Sequence, residues 1–204
     1  FEATPVRFTN RGPQSVGVAE VDQNQEMAEE AVCASYLYGG RVQNTSHTPD
    51  EGCADWDVGF VLKVPEDWPS GFYAARCVDL AGSVEYVPFV VNPKPDQHAA
   101  LAMIVNTTTW NVYNTWGGYS RYEVPNGSAW EFSYLRPSRR NLNLGLFTGD
   151  YQYMSKHLAR GEMWVFNWLR SAGFAVDVYT DLDLHYGIPG LAHYKGVILR
   201  THPE

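Results

Sequence analysis

The stretch Trp110-Asn-Val-Tyr113-Asn-Thr-Trp116-Gly-Gly-Tyr119-Ser-Arg-Tyr122 concentrates phenols, indoles, carboxamides and a Gly-Gly pair. Aromatic rings seek burial and their polar tips seek partners, so such a segment is costly as mere connection. It follows Ala99-Ala-Leu-Ala-Met-Ile-Val105, a short unbroken apolar run closed by Asn106 and three threonines, which predicts a buried parallel strand. A loop beyond the C-terminal end of such a strand is where open α/β sheets take ligands. Tyrosine offers a hard oxygen donor there once ionised. A free phenol titrates near pH ~10, so only strong local positive charge holds it as phenolate at neutrality.

Two later strands bring more polar groups to the same edge. Phe174-Ala-Val-Asp-Val-Tyr179 is expected as the second strand, followed by Asp181, Asp183 and His185. Gly196-Val-Ile-Leu-Arg200 is expected as the third, followed by His202 and Glu204. If the first and third strands are neighbours, Tyr113 and Tyr122 converge with His202 and Glu204. Phenolate, carboxylate and imidazole together suit a hard, Lewis-acidic trivalent metal such as iron. Simpler readings stand beside it. Such tyrosines often cap a core, and Asp181 and Asp183 suit helix starts or turns better than acid–base catalysis. Trp164 and Trp168 read as core or interface residues at helical spacing. Nothing resembles a Ser–His–Asp set, a P-loop or a glycine-rich dinucleotide loop.

The elements that must position these groups change character along the chain. A helix is expected over 155–172, with Leu158, Val165, Phe166, Leu169 and Ala172 on one face and Gly173 at its stop. Strand, helix, strand, crossover, strand predicts a parallel α/β sheet. Three strands do not complete a doubly wound domain, so the sheet is expected to be truncated and the chain a piece of something longer. Asn92-Pro-Lys-Pro-Asp-Gln97 reads as a linker. Before it, residues 1–94 read as all-β, with strands over 16–21, 56–64, 72–78 and 84–91 and a short helix fitting 25–34. Residues 65–71 form a turn plugged by Trp68, and Pro88 marks an edge strand or bulge. The expected fold is thus a two-part α+β chain. Residues 1–94 form a β-sandwich-like domain, and 95–204 form the first part of a parallel α/β catalytic domain.

Composition narrows the partners. The chain has 204 residues, 45% hydrophobic and 19% charged, with net charge −8. An acidic chain with scattered basic residues is a poor phosphate binder, which sets aside nucleic acid and anionic membrane. Arg136-Pro-Ser-Arg-Arg140 is expected to order a loop or pair with a carboxylate. Cys33, Cys53 and Cys77 lack zinc-ligand spacing. No apolar run reaches spanning length and no signal peptide is visible. Asn44, Asn106 and Asn126 stand in formal glycosylation sequons.

Several motifs together resemble the large (β) subunit of N,N-dimethylformamidase and its relatives. They are Val64-Pro-Glu-Asp-Trp-Pro-Ser-Gly-Phe-Tyr73, Tyr86-Val-Pro-Phe-Val-Val91 and Asn106-Thr-Thr-Thr-Trp-Asn-Val-Tyr-Asn-Thr-Trp-Gly-Gly118. Ser120-Arg-Tyr122, Arg136-Pro137, Tyr179-Thr-Asp-Leu-Asp-Leu-His185 and His202-Pro-Glu204 continue the series. The resemblance implies a β-sandwich leading into a glutamine-amidotransferase-like domain. It implies an amidohydrolase with a mononuclear Fe(III) site held by Tyr113, Tyr122 and Glu204. His202 would stand beside the metal and, with Glu204, belong to the catalytic set. The iron would act as Lewis acid on the carbonyl of a small amide. The family's general-base glutamate lies beyond Glu204, so the remainder of the chain or a companion subunit, and an oligomer, are expected partners. The segment between Tyr113 and Tyr122 is shorter than in amide-hydrolysing members. The alternative is a non-catalytic scaffold whose aromatic loop, through Trp110 or Trp116, stacks on a ligand or glycan.

Overall fold

A computed structural model of the protein describes residues 2–10, 27–31, 36–37, 61–78, 81–82, 84–114, 120–122, 134, 136, 158–199 and 203. Within them the chain changes from antiparallel to parallel pairing across residues 92–100. The antiparallel sheet contains β1 (Glu2–Asn10), β2 (Met27–Ala31), β3 (Tyr36–Leu37), β4 (Gly71–Val78) and β5 (Val84–Val91). β2 and β3 lie along one side of β1, β4 along the other, and β5 beyond β4. Among the described residues β5 is therefore an edge, which tolerates the missing N–H of Pro88 opposite Ala74. The turn before β4 closes with Trp68 N–H on Pro65 C=O at 3.3 Å, and its buried indole stacks on Tyr73.

Two expectations in this half change. The helix expected over 25–34 is replaced by strand β2, paired antiparallel to β1 from Asn10↔Met27 to Val6↔Ala31. Met-Ala-Glu-Glu-Ala favours helix locally, but a partner strand outweighs that weak preference. The strand expected over 56–64 does not extend through 61–65, which run without regular structure into the Trp68 turn. Residues 16–21 and 56–60 lie outside the described residues.

The parallel sheet consists of β6 (Leu101–Val105), β7 (Val176–Thr180) and β8 (Gly196–Leu199), in the order β7-β6-β8. The first and third strands are thus neighbours, as the site argument required, and the first and second are too. Among the described residues three α-helices accompany them: α1 (Thr107–Val112), α2 (Ala159–Ser171) and α3 (Asp181–Tyr186). Period-two alternation sends Met103, Val105, Val176 and Val178 to one face, where Met163, Phe166 and Leu169 of α2 cover them. Ala102, Ile104 and Tyr179 go to the other face, under Ile188 and Tyr194. Both faces are buried, which explains why β6 is an unbroken apolar run.

The expected α2 face is met by Leu158, Phe166 and Leu169, while Ala172 is exposed and Trp168 is half-exposed. The helix ends as predicted. Gly173 at φ +85 lets its N–H reach Arg170 C=O and the N–H of Phe174 reach Leu169 C=O, both at 3.0 Å.

Phe72 and Ala74 of β4 belong to the same apolar cluster as Met103, Val105 and Phe166. Ser70 Oγ also accepts from the Val178 N–H of β7 at 2.8 Å. The two sheets therefore share packing and a hydrogen bond at the β7 edge. Among the described residues, no helix is long and apolar enough to cross a membrane.

Candidate functional site

The chain leaves β6 at Asn106 and turns at once into α1, so the expected aromatic loop begins as a helix. Thr-Thr-Thr-Trp-Asn-Val is a weak helix former, and six residues are far below the length that is stable alone. Charged side chains from three distant segments hold it. Asp181, at the end of β7, accepts from the N–H groups of Thr107 at 3.0 Å and Thr108 at 2.8 Å, and also from the Thr107 hydroxyl. A carboxylate at a helix N-terminus satisfies orphan donors and matches the positive end of the dipole. At the other end, Arg136 donates to Asn114 C=O at 3.1 Å and Asn111 C=O at 3.3 Å. Arg136 thus orders the loop, its guanidinium buried on the carbonyls of Asn111 and Asn114, and residues 137–140 lie outside the described residues.

Glu162 of α2 holds the helix from below. Its Oε1 accepts from Asn106 N–H at 2.8 Å and its Oε2 from the Trp110 indole N–H at 2.9 Å. Trp110 is buried in the core and tilts against Phe72 at 5.7 Å between centroids. That removes it as a stacking platform for a ligand. Asn106 is 3% exposed, which also makes its sequon unusable in the folded chain. Its Nδ2 is buried without a hydrogen-bond partner among the described residues.

Tyr113 caps α1, and Tyr122 returns to it. Arg121 N–H donates to Val112 C=O at 3.1 Å, which places the two tyrosines side by side. Their rings lie 4.9 Å apart between centroids, with planes inclined by 42°. Tyr113 is half-buried and Tyr122 is 56% exposed. His202, Glu204, Trp116 and Tyr119 lie outside the described residues. Among the described residues, no three His, Cys, Asp or Glu side chains gather as a metal cluster.

The acidic residues after β7 have structural positions. Asp183 accepts from Thr180 N–H at 2.7 Å while its own N–H reaches the Thr180 hydroxyl at 3.1 Å, a capping box that starts α3. Asp181 stands at the start of α1 and Tyr113 at its end, with about 9 Å of helix between them. His185 is exposed in the last turn of α3, against Tyr186.

Sequence reasoning missed Glu162, Arg136's exact partners and Tyr134, whose hydroxyl meets that of Thr108 at 2.6 Å. It also missed a cluster at the opposite, N-terminal edge of the sheet. There Tyr194 OH donates to Asp177 Oδ2 at 2.7 Å and lies 3.0 Å from both His98 Nδ1 and Tyr179 OH. Glu162 stands four residues from both Leu158 and Phe166, a charge on the apolar face of α2, and that spacing was the available signal.

Comparison with known proteins bears on what this edge could be. Two proteins named N,N-dimethylformamidase beta subunit, from Alcaligenes sp. and Paracoccus aminophilus, are each 27% identical to it over 210 residues. The matched region covers 82% of this chain and 27% of each relative, so the chain spans about a quarter of their length. Residues 15–204 match the family described as N,N-dimethylformamidase beta subunit-like, C-terminal, and the chain belongs to that family.

Proposed function

We propose that this chain carries part of a metal-dependent amide hydrolase, with Tyr113, Tyr122 and Glu204 as ligands of one ferric ion. The observation that carries the reading is the Tyr113–Tyr122 pair, two phenols in contact beyond the C-terminal end of the central strand. Family membership supports the reaction class. The pair fits the ion in kind, because two hard oxygen donors brought side by side at one helix end suit Fe³⁺. When bound, Fe³⁺ supplies Lewis acidity toward an amide carbonyl and toward water. The chain's own residues have narrower tasks. Tyr113 and Tyr122 would hold the ion through their side-chain oxygens. Glu204, five residues after β8 in sequence, would add a carboxylate. His202, two residues earlier, orients or polarises a ligand.

On this reading the antiparallel sheet belongs to a β-sandwich over 1–94. The parallel sheet belongs to a glutamine-amidotransferase-like catalytic domain that begins near residue 95. The relatives are named as β subunits, which supports a companion subunit or an oligomer, with a small amide as substrate. Metal analysis of the purified full-length protein, with a visible absorption scan, tests the reading. Near-stoichiometric iron with a broad tyrosinate-to-iron band is expected. Absence of both overturns it and leaves the tyrosine pair as packing.

A further inference from the structure

Glu162 is 1% exposed, and its two carboxylate oxygens take different donors from the same short helix. Asn106 N–H stands at the start of α1 and the Trp110 indole one turn later. Two such anchors fix the rotation of α1 about its axis as well as its position. Tyr113 follows Trp110 by three residues, its N–H on Thr109 C=O at 3.0 Å. Tyr122 is attached to the same helix end through the Arg121–Val112 main-chain bond. A slip or rotation of α1 therefore moves both phenols together.

A buried carboxylate is a poor way to gain stability alone, since well-packed apolar residues often serve as well or better. What it can contribute is registry, because only an acceptor at each oxygen satisfies two donors approaching from different residues. Glutamine offers one acceptor oxygen and turns an NH₂ group toward the second donor. We propose that Glu162 is the positioning residue of the Tyr113–Tyr122 pair. It sets, through Asn106 and Trp110, the geometry in which the two phenols meet their cation. The proposal rests on the ferric reading above.

The test uses the full-length protein carrying Glu162→Gln or Trp110→Phe. The second change removes the indole N–H together with part of a buried ring, so it is read beside Trp110→Leu, which removes the ring without restoring a donor. It keeps the test open should Glu162→Gln not fold. Iron content and the visible band are read on the loaded protein, and amide hydrogen exchange over 107–122 on the iron-stripped protein. In both variants exchange in that segment should quicken about tenfold, roughly the worth of one hydrogen bond. Exchange in β6–β8 should stay as it is, and the band should shift or weaken at unchanged iron content. Unaltered exchange over 107–122 overturns the proposal whatever the metal result. Faster exchange with an unmoved band also overturns it, because Glu162 would then be structural only while the ferric reading stands. A wild-type protein without iron or band defeats the ferric reading itself, and this proposal with it.

Discussion

Tyr122 is the more exposed of the paired tyrosines, which makes it the cleaner residue to change. Tyr122→Phe removes an oxygen and little packing, so stability should stay within about 0.5 kcal/mol. Iron and the visible band should fall to background, read by metal analysis beside a thermal melt. A different phenol controls stability at the opposite edge of the sheet. Tyr194 gives its one proton to Asp177, so His98 Nδ1 and Tyr179 OH must be the donors in their contacts with it. Burial pushes Tyr194 well above the ordinary tyrosine range, and the Asp177 carboxylate that accepts its proton adds to the rise. The folded chain then keeps a proton that the unfolded chain loses near pH ~10. This contribution is complete below that pH and is lost as pH rises through and beyond it. Tyr194→Phe should cost about 1–3 kcal/mol at neutral pH by weakening the bonding of Asp177. Urea unfolding from pH 8 to 11 should show a steeper decline in the wild type than in the variant.

At the scale of elements, α1 depends on partners far away in the chain. Asp181→Ala leaves the Thr107 and Thr108 N–H groups without their acceptor and should cost about 1–2 kcal/mol, seen in denaturant unfolding. Gly173→Ala meets no steric obstacle, since nothing lies within 4 Å of the added carbon. It must hold φ +85, however, and should cost about 1–2 kcal/mol in a thermal melt. These two residues also show what the sequence could and could not reveal. Gly173 was legible as a helix stop because its signal is local, as were the apolar run of β6 and the proline on edge strand β5. β2 was not legible, because Met-Ala-Glu-Glu-Ala favours helix and only pairing with Val6–Asn10 decides the matter. The helical state of α1 was hidden for the same reason. Its stabilising carboxylates stand at Glu162 and Asp181, more than 50 residues from the backbone groups they bind. The tyrosine types were readable from sequence, whereas the device that holds them was not.

The whole molecule raises the question of how separately its two sheets behave. The pairing changes from antiparallel to parallel across residues 92–100, yet the packing crosses that change. Phe72 is fully buried in a cluster whose other members include Met103, Val105, Trp110 and Phe166. Ser70 satisfies the Val178 N–H on the outer edge of β7, where an unpaired donor would be costly. If the sheets unfolded independently, either intermediate would expose this shared surface and lose that bond. The described parts should therefore unfold together, with β4–β5 and β6–β7 amides reaching exchange at the same urea concentration. Phe72→Ala leaves a large cavity and should cost about 3–5 kcal/mol. It should lower the exchange midpoint of β6–β7 as much as that of its own sheet. A variant in which only β4–β5 opens earlier would mean that the cluster is a contact between two independent units. The parallel sheet could then be moved or replaced without its antiparallel neighbour.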